Sequence, residues 1–314
     1  MTLNTTSRTL LTAIFLLFGL LSANFAAAGS FQRIVVFGDS LSDPGNAFVL
    51  LRKVEVPPFP LIPEAPYARG GLHFSNGSTW VEDLGESLRL RTSTGPALAA
   101  PHVFSNYAVG GARARPGQLF DLTTQVGLFL RDFGGSAPDD ALYVIFIGAN
   151  DVRDALDALA VDPSGGIINA ALAALHDNIT VLASSGARTF LVANAPNLAL
   201  VPAVRLKGPA AQGAAQSLAA VFNSGLAATL DGLQTAALPV NFARLDVFEI
   251  LNRVVADPAA FGLSNVQDSC ITPDTNVHPF CAQPDRYLFW DGIHPTRAAH
   301  AILARDAAAL VIGF

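Results

Sequence analysis

The stretch Arg33-Ile34-Val35-Val36-Phe37-Gly38-Asp39-Ser40-Leu41-Ser42-Asp43 decides the fold class. Residues 33–38 are a β-branched and aromatic run that stops at glycine, the pattern of a buried strand that hands the chain to a turn. Ser40 follows the carboxyl end of that strand. Runs of the same kind recur at residues 103–109, 142–148, 189–194 and 240–245, and Ala/Leu-rich segments of helical length, such as 168–184 and 210–233, lie between several of them. Strands alternating with helices imply parallel pairing through right-handed crossovers. The expected fold class is α/β, a three-layer doubly wound, mainly five-stranded parallel sheet.

Such sheets bind ligands in the crevice outside the carboxyl ends of their strands. Asp39-Ser40, Gly110-Gly111 and Gly148-Ala149-Asn150-Asp151 each come directly after a predicted strand, so three separated segments should converge on one edge. Residues 54–71 carry five prolines and little periodicity, which reads as a long surface excursion placed to wall a pocket. There is no repeat of 20 to 50 residues and no low-complexity tract beyond a general enrichment in alanine.

At the amino end, Arg8 precedes an apolar run over residues 10–21, followed by Ala26-Ala27-Ala28. This is the composition of a signal peptide over residues 1–28, cleaved near Ala28. The apolar run is shorter than the ~20 residues a bilayer span requires. No later stretch reads as a span, and too few residues follow Asp291 to form a membrane barrel, so no integral membrane anchor is expected. Residues 29–314 then read as one domain. With 51% hydrophobic and 14% charged residues the chain buries enough apolar surface to fold. A net charge of −6 leaves no basic surface for nucleic acid. Cys270 and Cys281, an even pair in an exported chain, read as a disulfide. A short closed loop credits that bond with about 3 kcal/mol. A zinc site using both cysteines with His278 is the alternative, without a second Cys/His pair to complete it.

A serine hydroxyl becomes a good nucleophile only when a base within reach takes its proton, and the base works best when a third group fixes its tautomer. The histidines are His73, His102, His176, His278, His294 and His300. Among them His294 stands three residues after an aspartate in a loop-like setting, Trp290-Asp291-Gly292-Ile293-His294-Pro295. A turn there would return the Asp291 carboxylate to the imidazole Nδ1–H and leave Nε2 for Ser40. On spacing alone, a plain surface turn explains these residues equally well.

Four blocks in order change that balance. Gly38-Asp39-Ser40-Leu41, Asn106-Tyr107-Ala108-Val109-Gly110-Gly111-Ala112, Gly148-Ala149-Asn150-Asp151 and Asp291-Gly292-Ile293-His294-Pro295 resemble the sequence blocks of the GDSL, or SGNH, hydrolases. Further similarity lies in residues 74–82 and 194–198, so the resemblance runs from about Ile34 to Pro295. It implies a flavodoxin-like SGNH hydrolase fold. It also implies Ser40 as nucleophile, His294 as general base and then acid, and Asp291 as its orienting partner. An oxyanion hole would be built from the Ser40 and Gly111 backbone N–H groups and the Asn150 side-chain amide. Gly110 competes with Gly111 for the middle role. Gly111 is preferred for its distance after Asn106. Ser42 stands where the Gly-x-Ser-x-Gly elbow of the larger α/β-hydrolases has its last glycine, which argues against that fold.

Asp39, Asp43, Asn46 and Asp151 read as polar scaffolding of these loops, with Asn46 available to position Ser40 or its neighbours. His73 and His278 read as loop residues, and Phe120, Phe129 and Phe133 as core or pocket wall. The disulfide is placed to brace the loop carrying Asp291. The implied activity is that of a secreted or periplasmic carboxylic ester hydrolase acting on short to medium acyl esters, without a cofactor or metal. A carbohydrate O-acetylesterase, a phospholipase or acyltransferase of the same fold, and an inert secreted binding protein are the alternatives. The expected partner is an ester substrate, lipid or small.

Overall fold

Four parallel strands carry the site, in the spatial order β1 (Arg33–Gly38), β2 (Ala141–Phe146), β3 (Thr189–Ala193) and β4 (Asn241–Leu245). The computed structural model describes residues 31–117, 119–162, 165–236 and 239–312. The expected signal peptide lies outside the described residues. Every residue of β2, Ala-Leu-Tyr-Val-Ile-Phe, is buried, as a central strand covered on both faces requires. The helices are α1 (Asn46–Leu51), α2 (Trp80–Ser87), α3 (Leu122–Asp132), α4 (Ala149–Asp157) and α5 (Gly166–Ser184), then α6 (Pro202–Arg205), α7 (Pro209–Thr235), α8 (Val247–Ala256) and α9 (Arg297–Val311).

Successive side chains of a strand point to opposite faces, and the aromatic contacts show both faces covered. Phe37 and Tyr143 meet the Phe129 ring of α3 edge-on, at 5.7 and 5.9 Å between centroids. Phe146, three residues along β2 from Tyr143, instead meets Trp80 of α2 at 5.8 Å. The core is therefore two helical layers around the sheet. Within the α3 layer, Tyr143, Phe190 and Phe242 stand opposite one another on adjacent strands, with centroids 5.5 Å apart at each step. Cross-strand aromatic pairs of this kind also fix register.

Two expectations need correction. The fifth strand expected over residues 103–109 is not a regular strand. The Val36 N–H donates to Ser105 O (2.9 Å) and the Tyr107 N–H to Val36 O (2.8 Å), so this segment does run parallel beside β1. Asn106 interrupts it: its Oδ1 accepts from the Ala108 N–H and its Nδ2 donates to Ser42 O, a local turn that competes with strand geometry. Its place still matters. The chain leaves β1, lies down on one side of it, and returns as β2 on the other. This puts the switch point, where such sheets bind ligands, between the ends of β1 and β2. The second correction concerns α5, which is long and apolar enough to cross a membrane. Its Ile168, Leu175, Ile179 and Leu182 are buried in the core that covers the sheet.

A small second sheet pairs β5 (Asn265–Ser269) with β6 (Tyr287–Phe289) in parallel. Around it Phe59, Tyr67, Ile271, Trp290 and the cysteines form a separate apolar cluster, in which Phe280 stacks on Trp290 and Arg69 lies over Phe280. Cys270 and Cys281 are joined in a disulfide.

Candidate active site

β1 stops at Gly38 for two local reasons. A side chain there would bring its Cβ to 2.8 Å from Phe146 O. The Gln125 amide then occupies the next rung: its Oε1 accepts from the Gly38 N–H (2.9 Å) and its Nε2 donates to Gly38 O (2.8 Å). Released from the sheet, the chain makes a tight turn in which the Ser42 N–H donates to Asp39 O and the Leu41 N–H to Asp39 Oδ1. Ser40 sits on this turn, and the Trp80 indole N–H ties its far side through Ser42 Oγ.

Ser40 Oγ lies 2.8 Å from His294 Nε2, and His294 Nδ1 lies 2.8 Å from Asp291 Oδ2 and 3.0 Å from Oδ1. Facing a carboxylate, Nδ1 carries the proton in the neutral ring, which leaves Nε2 as acceptor for the serine hydroxyl. The Asp291 carboxylate also accepts from the backbone N–H groups of Ile293 and His294 and, at Oδ2, from the Tyr67 hydroxyl at 3.0 Å. Burial and the adjacent carboxylate push the Tyr67 phenol far above its ordinary pKa, so it remains a donor. The loop itself is clamped from two sides. Its Gly292 N–H donates to Leu61 O and its Gly292 O accepts from the Ala203 N–H. A Cβ on Gly292 would come within 2.4 Å of Leu61 O, so only glycine allows this approach.

The neighbouring glycines are told apart by hydrogen bonding. The Gly110 N–H donates to Asp43 Oδ2 at 2.8 Å and is consumed. The N–H groups of Gly111 and Ser40 meet no acceptor among the described residues. Gly111 has φ +80°, a conformation that suits glycine. Asn150, in the first turn of α4, donates one amide hydrogen to Ala112 O and keeps a second for a ligand. Ser40, Gly111, Asn150 and His294 line one open mouth, a cavity of about 340 Å³.

The supporting polar residues hold these loops. Asp43 accepts from the N–H groups of Gly45, Asn46, Ala47 and Gly110. Asn46 donates to the carbonyls of Asn106 and Ala108. Asp151 accepts from the Ala114 N–H and pairs with Arg115. Asp39 is different: burial pushes its carboxyl up to about 6, against the Leu41 N–H and the charge of His294, and its Oδ2 has no partner among the described residues. His73, in the loop expected of it, meets Gly70 O at 2.7 Å and the Glu82 carboxylate at 2.9 Å.

A second, smaller cavity of about 90 Å³ is also lined by Ser40 and His294. Its apolar walls include Ile250 and Val254 of α8 and Ile302 and Leu303 of α9. The site thus joins a wide mouth to a smaller apolar cleft.

The model of the GDSL-like lipase/acylhydrolase family matches residues 34–307. The chain belongs to this family. It is similar to a GDSL esterase/lipase of Arabidopsis thaliana, 27% identical, over 87% of this chain and 87% of that protein. It is also similar to the phosphatidylcholine-sterol acyltransferase of Aeromonas hydrophila, 27% identical over 94% and 95% of the two chains. Among solved structures, a catalytic mutant of an acetylxylan esterase from Geobacillus stearothermophilus shares the fold, with a TM-score of 0.50 at 17% identity over 91% and 96% of the chains. This GDSL-family chain is a serine ester hydrolase with the α/β architecture expected of it.

The three segments expected to converge on one edge bring Ser40, Gly111 and Asn150 to the same mouth, and the Asp291–His294 loop reaches Ser40 there. Sequence reading missed three that hold the GDSL-family site together. Gln125 left a trace, a polar residue on the apolar stripe of α3 beside Leu122, Val126 and Phe129, all buried. Phe74 fills the space that a Cβ on Gly110 would need and packs on the His294 ring at 5.3 Å. Tyr67 left no trace, since nothing local links a residue in a proline-rich loop to an aspartate 224 positions away.

Proposed function

We propose that Ser40, His294 and Asp291 carry out hydrolysis of carboxylic esters through an acyl-enzyme on Ser40. The carrying observation is the unbroken chain from Ser40 Oγ through the imidazole to Asp291, each link 2.8 Å. His294 Nε2 takes the hydroxyl proton as Oγ attacks the ester carbonyl. The tetrahedral oxyanion is received by the N–H groups of Ser40 and Gly111 and by the Asn150 amide, preorganised donors of the kind that often supplies the largest catalytic contribution. His294 then protonates the departing alkoxide, and water repeats the cycle on the acyl-enzyme.

The smaller cleft favours an alkyl acyl group over acetyl, because apolar walls reward burial of methylenes at roughly 0.8 kcal/mol each. Short to medium acyl esters are therefore the proposed substrates, ahead of acetylated sugars. Acyl transfer to an alcohol uses the same acyl-enzyme, and the similarity to an acyltransferase keeps that route in view. The disulfide and the apolar leader support a chain exported after cleavage near Ala28 that works as one catalytic domain. The test is an acyl-chain series of aryl esters with wild type and Ser40→Ala, alongside labelling by a fluorophosphonate. Activity and labelling are expected to vanish together in Ser40→Ala. Retention of most activity would overturn the assignment, and an inert, unlabelled wild type would favour a binding protein. Product analysis with added glycerol separates hydrolysis from transfer.

A further inference from the structure

Arg153 stands one helical turn after Asn150 on α4, at a spacing that places both side chains on the same helix face. It lines the apolar cleft and the open mouth alike, as do Ser40, Asn150 and His294. The guanidinium is thus at the junction where an ester would react. It makes no hydrogen bond or ion pair among the described residues. The acids around it are engaged elsewhere. Asp154 binds Arg113 and Arg115, Asp151 binds Arg115, and Asp157 binds Lys207 at 2.5 Å. Burial, with the positive charge of Arg113 beside it, makes the protonated form of Arg153 costlier than usual. A half-buried guanidinium that lines the mouth without a protein acceptor has its donors available to a ligand.

Asp39 lines only the apolar cleft, and the acids that line the mouth are Asp157, paired with Lys207, and Glu64, which faces Lys53 at 3.8 Å. Of the two cations that line the mouth, Lys207 is paired with Asp157, and Arg153 is left without an ion pair among the described residues. Planar guanidinium groups match the paired oxygens of a phosphate better than any other side chain does. An alkyl chain in the cleft and a phosphate in the mouth would lie on opposite sides of the same reacting carbonyl.

We propose that Arg153 is a substrate-binding residue that receives the phosphodiester on the alcohol half of an ester, so that the enzyme's preferred substrates are acyl esters of phosphorylated glycerol, the chemistry of a phospholipid. The proposal rests on Ser40 chemistry for its kinetic test but not for its binding test. The kinetic arm compares 1-decanoyl-lysophosphatidylglycerol with 1-decanoylglycerol, both below their aggregation concentrations, and reads the ratio of kcat/KM. Wild type is expected to favour the phosphodiester by roughly tenfold to a hundredfold, the range for a hydrogen bond to a charged group. In Arg153→Gln the ratio falls to near one, with most of the change in KM, and Arg153→Lys restores part of it. A ratio that Arg153→Gln leaves unchanged, including an equal loss on both esters as expected if Arg153 only balances Asp39, overturns the proposal.

The binding arm titrates dodecyl phosphate by calorimetry into wild type and Arg153→Gln, each shown folded by its thermal midpoint. Binding that depends on Arg153 and is not matched by inorganic phosphate supports the site. Equal binding to both proteins, or equal competition by inorganic phosphate, overturns it. If neither ester is cleaved and Ser40 resists the fluorophosphonate, the hydrolase reading fails while this arm still decides the anion site.

Discussion

The two halves of the site are anchored in different ways. Ser40, Gly111 and Asn150 stand at the ends of the large sheet, where strand hydrogen bonds and buried polar side chains such as Gln125, Asp43 and Asn46 set each loop. Asp291 and His294 stand outside that sheet. Their loop hangs between residues 54–71, the α6 region and the small disulfide-bearing sheet, through Leu61, Ala203, Tyr67 and the β6 strand. The nucleophile half therefore inherits its geometry from the core, and the acid and base half from loops. Rigidity on one side and assembled contacts on the other predict different responses to perturbation.

The largest effect is expected at the shared hydrogen bond. His294→Ala should lower kcat by about 10⁴ to 10⁶, as removal of a member of a Ser/His pair does elsewhere, measured with a short aryl ester. Asn150→Ala should cost about 10² to 10³ in kcat. Because its amide also ties α4 to Ala112, a thermal midpoint is needed beside the rate. A loss in kcat with an unchanged midpoint would sharpen the division between oxyanion donor and scaffold.

Gln125→Leu attacks the core-anchored half. It leaves the buried Gly38 N–H without a partner, at about 1 to 3 kcal/mol, while Gly38 O keeps the Val109 N–H at 3.2 Å. Chemical denaturation should show that loss, and a variant as stable as wild type would show that β1 does not need its terminal rung. Tyr67→Phe attacks the loop-anchored half and should be milder, lowering kcat by about threefold to tenfold with little change in stability, less than a full hydrogen bond to a charged group because the Ile293 and His294 N–H groups still hold Asp291. Reduction of the Cys270–Cys281 bond, credited with about 3 kcal/mol, should lower activity before the main sheet melts. Simultaneous loss of near-UV signal and activity would place the lobe and the sheet in one cooperative unit.

The smallest expected effect is a pH dependence. Burial raises the carboxyls of Asp39 and Asp43 to about 6, so between about pH 4 and 6 the folded chain binds more protons than the unfolded one. These two groups therefore favour folding below that window, and their contribution is lost as pH rises through it. Asp39→Asn, which removes the carboxylate oxygen without a partner, should raise the thermal midpoint more at pH 8 than at pH 4. An equal shift at both would show that Asp39 carries no such penalty.

The same division governs what could be read from the chain. Ser40 and Asn150 were legible because each follows its strand directly, so a local pattern of apolar run, glycine and polar residue places it in space, and Gly111 was legible through its distance after Asn106 in the family blocks. Asp291 and His294 were legible as a pair by short spacing and by family resemblance, but their supports were not. Tyr67, Leu61 and Ala203 reach them across long separations and through backbone atoms that carry no residue code. Hydropathy misled at residues 103–109, which look like a strand until Asn106 turns on itself, whereas α5 was legible as a crossover helix although it has the apolarity of a membrane helix. Gly110 and Gly111 are indistinguishable as letters and are separated only by the bond from Gly110 to Asp43.

That bond has a use for anyone who wishes to rebuild the enzyme. Asp43 grips the start of α1 with three N–H groups and the oxyanion loop with a fourth, so residues 48–109 leave and return to the same two oxygen atoms. The long excursion between them, which includes the proline-rich rim of the mouth, is a cassette hung from one fixed hook. Leu61, Tyr67, Phe74 and Trp80 lie within it and hold the Asp291 loop, the His294 ring and the sheet, so a longer or shorter rim should retune which alcohols are admitted only where the change falls between those contacts.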